Sequence, residues 1–421
     1  MSHYAIVVPP LFSHIRTLEV LAAALSQRGH RLTFILPEDA VTPGLHNIHA
    51  CPSLPAALLT AQRQMQNPAR RAIWRIARTM AALTEALCRE LPALLRTLKV
   101  DGVIVDQMEP AGSLVSESLG LPFVSVACAL PINREPHLPL SVMPFAYAED
   151  ERAQRLYRGS ERVYDLIMRP LYRAIRAQSL RLGLTPRDRP DQCLSRLAQI
   201  AQWSRSLDFP RHALPDCFHY IGAMKQPEPS SAPAGTPSAQ GAAALGYASL
   251  GTLQEHPYRL LRKMAAACRR AGVQVMVTHC DRLSEDEVAS LYHHGATWVE
   301  SFIDQPEFIR RADVVVSHAG LNTVLETVAA ARPLLLLPVA FDQPAIAARI
   351  VHHGLGLRVS RFASSRTLAR HIAALLNDEG YLQRLEVACQ QVSEGGGATR
   401  GAAIIEQALA SKRPVLRDTG Y

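Results

Sequence analysis

One imidazole and one run of polar side chains stand where chemistry can be done. His14 lies between the apolar stretch "YAIVVP" (4–9) and the helical stretch "TLEVLAAALSQRG" (17–29). Main-chain amides and a few side chains at such a junction can face a ligand. Ser or Asn would cap a helix more simply. An imidazole, with an ordinary pKa near ~6.5, can also exchange a proton near neutrality. Taken alone, the position fits either a helix cap or a proton acceptor.

The second constellation lies within "FIDQPEFIRRADVVVSHAGLNTVLETVAAARPLLLLPVAFDQ" (302–343). A strand ends at His318, a small-residue turn Ala319-Gly320 follows, and Asn322 and Thr323 open a helix with Glu326 one turn in. A strand end, a tight turn and a helix N-terminus form an anion site, because free N–H groups and the positive end of the helix dipole point at it. His318, Asn322 and Thr323 add donors for phosphate oxygens, and Glu326 can accept from sugar hydroxyls. Asp342 and Gln343 follow the next strand, where a carboxylate beside an amide suits adjacent sugar hydroxyls. Each of these residues alone could be a cap or a solvated side chain; the joint arrangement is what points to a phosphorylated sugar.

These residues need a scaffold. Strands "RLTFIL" (31–36), "DGVIVD" (101–106) and "PFVSVAC" (122–128) alternate with helical stretches at 17–29, 68–97, 109–120 and 149–184. The alternation restarts with "YASL" (247–250), "VQVMVTH" (273–279), "ADVVVSH" (312–318) and "PLLLLP" (333–338). Near-continuous apolar strands fit parallel sheets covered on both faces. Between the two series, 225–243 is rich in Pro, Ser, Ala and Gly and reads as a flexible linker. The expected architecture is α/β. A doubly wound unit over 1–224 is joined through that linker to a second over 244–397, and a helix and tail over 398–421 pack back on the first. Ligands in such sheets bind at the carboxyl ends of strands.

The 421 residues suit two domains, and a mean hydropathy of +0.02 describes a globular chain with a real core. The longest apolar run, "PLLLLPVAF" (333–341), falls short of the ~20 residues that span a bilayer. The N-terminus has no basic stretch leading into an apolar core. The eight cysteines are scattered without a C-x-x-C pair, as expected of reduced thiols in a cytoplasm rather than a disulfide framework or zinc site. The net charge of +8 is too small to imply nucleic acid.

The stretch from Phe302 to Gln343 resembles the nucleotide-sugar signature of glycosyltransferase family 1, the GT-B enzymes that use UDP-sugars. The matching residues are Phe302-Ile-Asp-Gln305, His318-Ala-Gly320-Leu-Asn322-Thr323-Val-Leu-Glu326 and Asp342-Gln343; Asp304 stands where the family usually has Pro. The resemblance implies two Rossmann-like domains facing a cleft. His318, Asn322 and Thr323 would hold the diphosphate, Glu326 the ribose, and Asp342 and Gln343 the hexose. "SLGT" (249–252) is similar to the family's first phosphate loop, with Gly251 and Thr252 facing the diphosphate. By its spacing to His318, Phe302 is the base-stacking aromatic, and Trp298 is left to packing.

His14 matches the family's catalytic histidine and Asp106 the aspartate that partners it; Ser13, Arg16 and Thr17 depart from the commoner wording around the histidine. Stretches 100–112, 121–136, 249–254 and 341–356 resemble the carotenoid-glucosylating branch of the family. That likeness implies UDP-glucose as donor and the ring hydroxyls of zeaxanthin as acceptor, giving mono- and diglucoside. Other acceptors within the same reading are another lipid, a polyketide or a small alcohol. A non-catalytic UDP-sugar binder is the contrasting reading, and it would need no base.

The chemistry stands beside the resemblance. An alcohol is a poor nucleophile at neutral pH, so a base must take its proton as the new bond forms. A carboxylate on the other ring nitrogen fixes the tautomer and stabilises the imidazolium. Asp106 can do this only if its strand lies beside the one leading to His14. Attack opposite the UDP inverts the sugar carbon in one displacement. No Asp-x-Asp motif stands at a strand end, so no metal and no cofactor beyond the donor are expected. A membrane-dissolved acceptor suggests contact with the inner face of the membrane. The stretches 67–83, with Arg70, Arg71, Arg75 and Arg78 among apolar residues, and 151–178 could lie on anionic lipid or be ordinary surface helices.

Overall fold

A computed structural model describes residues 1–37, 48–51, 73–224, 243–251 and 257–417. Thr252, Arg70 and Arg71 lie outside the described residues, as does the linker expected over 225–243 except for its last residue.

The first sheet contains β1 (His3–Val7), β2 (Arg31–Pro37), β3 (Ile48–Cys51), β4 (Gly102–Asp106), β5 (Phe123–Ala127), β6 (Gln199–Ala201) and β7 (Phe218–Tyr220). Its order is β3-β2-β1-β4-β5-β6-β7. The second contains β8 (Ala244–Ser249), β9 (Val273–Thr278), β10 (Trp298–Glu300), β11 (Val314–Ser317), β12 (Leu334–Leu336) and β13 (Gly356–Arg358), in the order β10-β9-β8-β11-β12-β13. The strand pairs in both are parallel. Val103, Ile104 and Val105 are fully buried, and so are Val314, Val315 and Val316. Helices on both faces remove each strand from water, which is why successive residues are all apolar. These are the two doubly wound α/β units that the sequence leads one to expect.

The first sheet is flanked by α1 (Phe12–Gln27), α2 (Ile73–Leu98), α3 (Pro110–Ser118) and α4 (Glu151–Arg181). With the second come α5 (Tyr258–Arg270), α6 (Glu285–His293), α7 (Gln305–Arg311), α8 (Leu321–Ala329), α9 (Gln343–His352), α10 (Ser365–Asn377) and α11 (Glu379–Ser393). α12 (Gly397–Ser411) returns to the first sheet, where Ile405, Ala408 and Leu409 share a core with Leu18, Leu21 and Leu25 of α1. Burying each such leucine contributes about 1.5–3 kcal/mol. Before α12 the chain crosses itself closely. A side chain at Gly395 would place its Cβ 2.5 Å from the Ile221 carbonyl oxygen, and the Gly397 amide donates to that oxygen at 2.7 Å. Gly395 and Gly397 therefore serve a backbone crossing.

One boundary differs from expectation. α1 begins at Phe12, upstream of the expected start at Thr17, so His14 sits in the first helical turn rather than in the preceding loop. Pro9 and Pro10 end the strand, and the amides of His14 and Ile15 already donate to the Leu11 carbonyl. No cap side chain is used there: Leu11 occupies the N-cap.

A buried ion pair links the two halves. Arg349 of α9 donates from Nε to Asp208 Oδ1 at 2.6 Å, with both side chains 1% exposed. Tyr220 donates to the other Asp208 oxygen at 2.8 Å, and the Arg349 guanidinium lies 4.4 Å from the Phe209 ring centre. Burial opposes the Asp208 charge, but Arg349 and Arg211 outweigh it and hold the carboxyl below its usual range. Among the described residues no helix is long and apolar enough to cross a membrane.

Candidate active site

Both sheets reverse their strand order beside the residues singled out above. In the first, β1 lies against β4, with Val7 opposite Val105. The chain leaves β1 toward His14 and leaves β4 at Asp106. In the second, β8 lies against β11, with Ser249 opposite Ser317. Gly251 follows one strand and His318 the other. Crevices at the carboxyl ends of strands, where the order reverses, are where open α/β sheets bind ligands.

His14 and Asp106 meet as the strand order requires. His14 Nδ1 lies 2.8 Å from Asp106 Oδ2, with the histidine 8% and the aspartate 0% exposed. A carboxylate only accepts, so Nδ1 carries the proton and Nε2 keeps its lone pair. Asp106 Oδ1 accepts from the Met108 amide at 2.8 Å, which fixes the carboxylate plane. Burial alone would push the imidazole pKa down. The charge and hydrogen bond of Asp106 outweigh burial, Asp342 adds to them, and the result is a raised pKa.

Asp342 reaches this pair from the second sheet. It precedes α9, and its Oδ2 accepts from the Leu130 amide at 3.3 Å, just beyond β5. Burial raises its pKa, against the Leu130 amide and His14. Gln343 behaves differently from the expectation of a hydroxyl-binding amide. Its Oε1 accepts from the Val339 and Ala340 amides, each at 2.9 Å, and so holds the loop after β12. Its nitrogen end alone is left for a ligand. The reason is local: the part-buried amides of 339 and 340 need an acceptor, and Gln343 is the side chain within reach.

His318 is packed between two glycines. A Cβ at Gly320 would lie 2.5 Å from its Nε2, and one at Gly251 would lie 2.7 Å from its Cε1. Gly251 also has φ +64, a left-handed conformation. Ala319, with φ +67, is a non-glycine residue in that region, a strained turn beside the proposed anion site. Burial pushes the His318 pKa down to about 4, so the ring is neutral at pH 7. As a neutral ring it can offer a diphosphate a hydrogen-bond donor.

Gln305, Thr323 and Glu326 come together at the start of α7. Gln305 Nε2 donates to Glu326 Oε2 at 2.6 Å and lies 3.4 Å from Thr323 Oγ1. Its Oε1 accepts from the buried Tyr247 hydroxyl at 2.8 Å. Asp304, the departure from the family's Pro, caps α7 by accepting from the Glu307 amide at 3.0 Å. Phe302 is 57% exposed and has a face to offer, whereas Trp298 packs against the Phe308 cluster. Asn322 Oδ1 accepts from Gln202 Nε2 at 3.1 Å.

Three residues here carried no sequence signal. Gln202 and Glu109 are isolated polar residues beside short elements, and Cys128 reads as one more buried thiol. The ligand atoms of Cys128, His14 and Asp106 lie within 4.8 Å of one another, close enough to bridge with a metal. The donor set does not fit one. His14 Nδ1 and Asp106 Oδ2 satisfy each other, and burial, with the nearby Asp106 charge, holds the Cys128 thiol well above its ordinary pKa, hence protonated.

Comparison with known proteins agrees with this architecture. The chain is 52% identical to zeaxanthin glucosyltransferase of Pseudescherichia vulneris, over 99% of this chain and 100% of that protein. It is 43% identical to zeaxanthin glucosyltransferase of Pantoea ananas, over 100% and 99%. The crystal structure of the glycotransferase of kitacinnamycin superposes with a TM-score of 0.77 at 18% identity, covering 97% of this chain and 99% of that one, which shows the shared GT-B fold. A family model described as UDP-glucoronosyl and UDP-glucosyl transferase matches residues 4–387. The chain is thus a glycosyltransferase, and it belongs to the UDP-glucoronosyl and UDP-glucosyl transferase family.

Proposed function

We propose that this protein transfers glucose from UDP-glucose to the ring hydroxyls of zeaxanthin, forming β-linked mono- and then diglucoside. The observation that carries the chemistry is the buried His14–Asp106 pair with Asp342 brought to it from the other sheet. A sugar-nucleotide binder has no use for a tautomer-locked base. The acceptor is taken from the two full-length relatives and their names.

In this reading the first sheet and its helices, 1–224, receive the acceptor, and 244–397 receive the donor. His14 Nε2 takes the hydroxyl proton as the oxygen attacks the anomeric carbon, and Asp106 stabilises the imidazolium. The C–O bond to UDP breaks on the opposite face, so configuration inverts. Negative charge grows on the departing diphosphate, where the N-terminus of α8, neutral His318, Asn322, Thr323 and the Gly251–Thr252 loop supply donors. Phe302 stacks on uracil, Gln305 and Glu326 meet the ribose side, and Asp342 with the Gln343 nitrogen meets the hexose. No metal and no further cofactor takes part.

The acceptor dissolves in membrane, and we place the enzyme at the cytoplasmic face of the bilayer. Two adjacent helices support this. On α4, exposed Leu156, Val163 and Leu166 are interleaved with exposed Arg155, Arg158, Arg162 and Arg169. Ile73 and Trp74 are exposed at the start of α2, with the guanidinia of Arg75 and Arg78 5.3 and 4.9 Å from the Trp74 ring centre. Apolar side chains among arginines suit an anionic lipid surface.

Incubation with UDP-glucose and zeaxanthin, read by mass, tests the function: products heavier by one and two hexoses are expected. Absence of product from zeaxanthin, with product from other alcohols, would move the acceptor. His14→Ala should keep UDP binding and lose transfer; undiminished transfer would sink the mechanism.

A further inference from the structure

Gln202 lies just beyond β6, 1% exposed, and touches both halves of the site. Its Nε2 donates to the Cys128 carbonyl at 2.7 Å and to Asn322 Oδ1 at 3.1 Å, and lies 3.4 Å from Thr17 Oγ1. Thr17 is on α1, one turn from His14, and donates its own hydroxyl to the Ser13 carbonyl at 2.9 Å. The Cys128 thiol in turn points at the His14 carbonyl at 3.9 Å.

These contacts settle which way two amides point. A main-chain carbonyl only accepts, so the Cys128 oxygen requires the nitrogen end of Gln202. That nitrogen requires the oxygen end of Asn322. The Asn322 nitrogen is thereby turned away from Gln202, with both its N–H groups left for another acceptor. Asn322 stands in the first turn of α8, beside His318 and Gly320. An anion there needs donors; an amide turned the other way would present its oxygen to it.

We propose that Gln202 is a positioning residue for the donor diphosphate. It holds the Asn322 amide with nitrogen toward the phosphates and ties that orientation to the loop and helix around His14. This rests on the reading that Asn322 contacts the diphosphate. Gln202 touches no substrate and acts through Asn322.

Calorimetric titration of the full chain with UDP, for six forms, tests it. The forms are wild type, Asn322→Ala, Gln202→Glu, Gln202→Met and the two double variants. The carboxylate of Gln202→Glu would accept where the native amide donates and turn the Asn322 amide over, while the thioether of Gln202→Met only releases it. Asn322→Ala should weaken UDP binding about tenfold, as loss of a hydrogen bond to a charged group does. Gln202→Glu should weaken it at least as much and Gln202→Met by less. In the Asn322→Ala background each Gln202 change should add less than about twofold, because nothing remains to orient. The KM for zeaxanthin should stay within about twofold throughout, a split that general loss of structure would not give. Wild-type affinity in both Gln202 variants, beside a weak Asn322→Ala, overturns the proposal and leaves the phosphate reading intact. Full Gln202 effects in the Asn322→Ala background overturn it too, by showing a route that bypasses Asn322. Unchanged affinity in Asn322→Ala removes the underlying reading and the proposal with it.

Discussion

His14, in the first turn of α1, and Asp106, at the end of β4, share one buried hydrogen bond, Nδ1 to Oδ2 at 2.8 Å. It raises the imidazole pKa even though burial works the other way. A base must be neutral to accept a proton. Transfer is therefore lost as pH falls through the His14 pKa, and the acid limb of kcat/KM should have its midpoint above the ordinary ~6.5. Asp106→Asn removes the charge that lifts the pKa and leaves burial, so the limb should move to lower pH. The plateau rate should drop by about 10²–10⁴, because the tautomer is no longer held. A pH–rate profile by product mass reads both; an Asp106→Asn limb at the wild-type position would contradict the pairing.

Gly320 has φ −65, which alanine adopts freely, but an added Cβ would lie 2.5 Å from His318 Nε2. Gly320→Ala should displace the imidazole without straining the backbone and weaken UDP about tenfold, the loss of one donor to a charged group. Because His318 is neutral above about 4, its deprotonation contributes no pH dependence to UDP binding between pH 6 and 8. Fluorescence titration of UDP across that range checks both statements. A break in affinity that disappears in His318→Ala would mean the ring carries charge there.

Glu109 occupies the N-cap of α3 without capping it, buried at 8% exposure. Burial first, and then the Asp106 charge, push its carboxyl to about 8. A folded pKa above the unfolded one means that the folded state holds the proton more tightly. Its contribution to stability is fully present below the unfolded pKa of 4.5 and is lost as pH rises toward and through about 8. Glu109→Gln cannot ionise, so its Tm should fall less than that of the wild type between pH 6 and pH 9. Parallel Tm curves for the two proteins across that window would refute the assignment.

The proposed lipid surface makes a separate prediction. Leu166→Glu with Val163→Glu should reduce co-sedimentation with vesicles containing anionic lipid by several fold, since each change removes apolar area and adds like charge. Activity on a detergent-dispersed acceptor should stay near wild type. Equal loss in both assays would point to damaged folding of α4 instead.

The architecture and the kind of chemistry were already legible in the order of residues along the chain. Apolar strands alternating with helices dictate covered parallel sheets. A strand, a small-residue turn and a helix opening with Asn322 and Thr323 point to an anion site, because these effects act within a few residues. The full-length resemblance carried the family. Folding in three dimensions settled which distant groups meet and in what state. Strand order placed Asp106 beside His14, and proximity of that charge, opposed by burial, set the direction of the imidazole pKa shift. Packing between glycines and burial made His318 a neutral ring. Two main-chain amides claimed the oxygen of Gln343, and one main-chain carbonyl, acting through Gln202, turned Asn322. Desolvation and hydrogen-bond direction depend on what surrounds a group in space, and local spacing along the chain does not contain that.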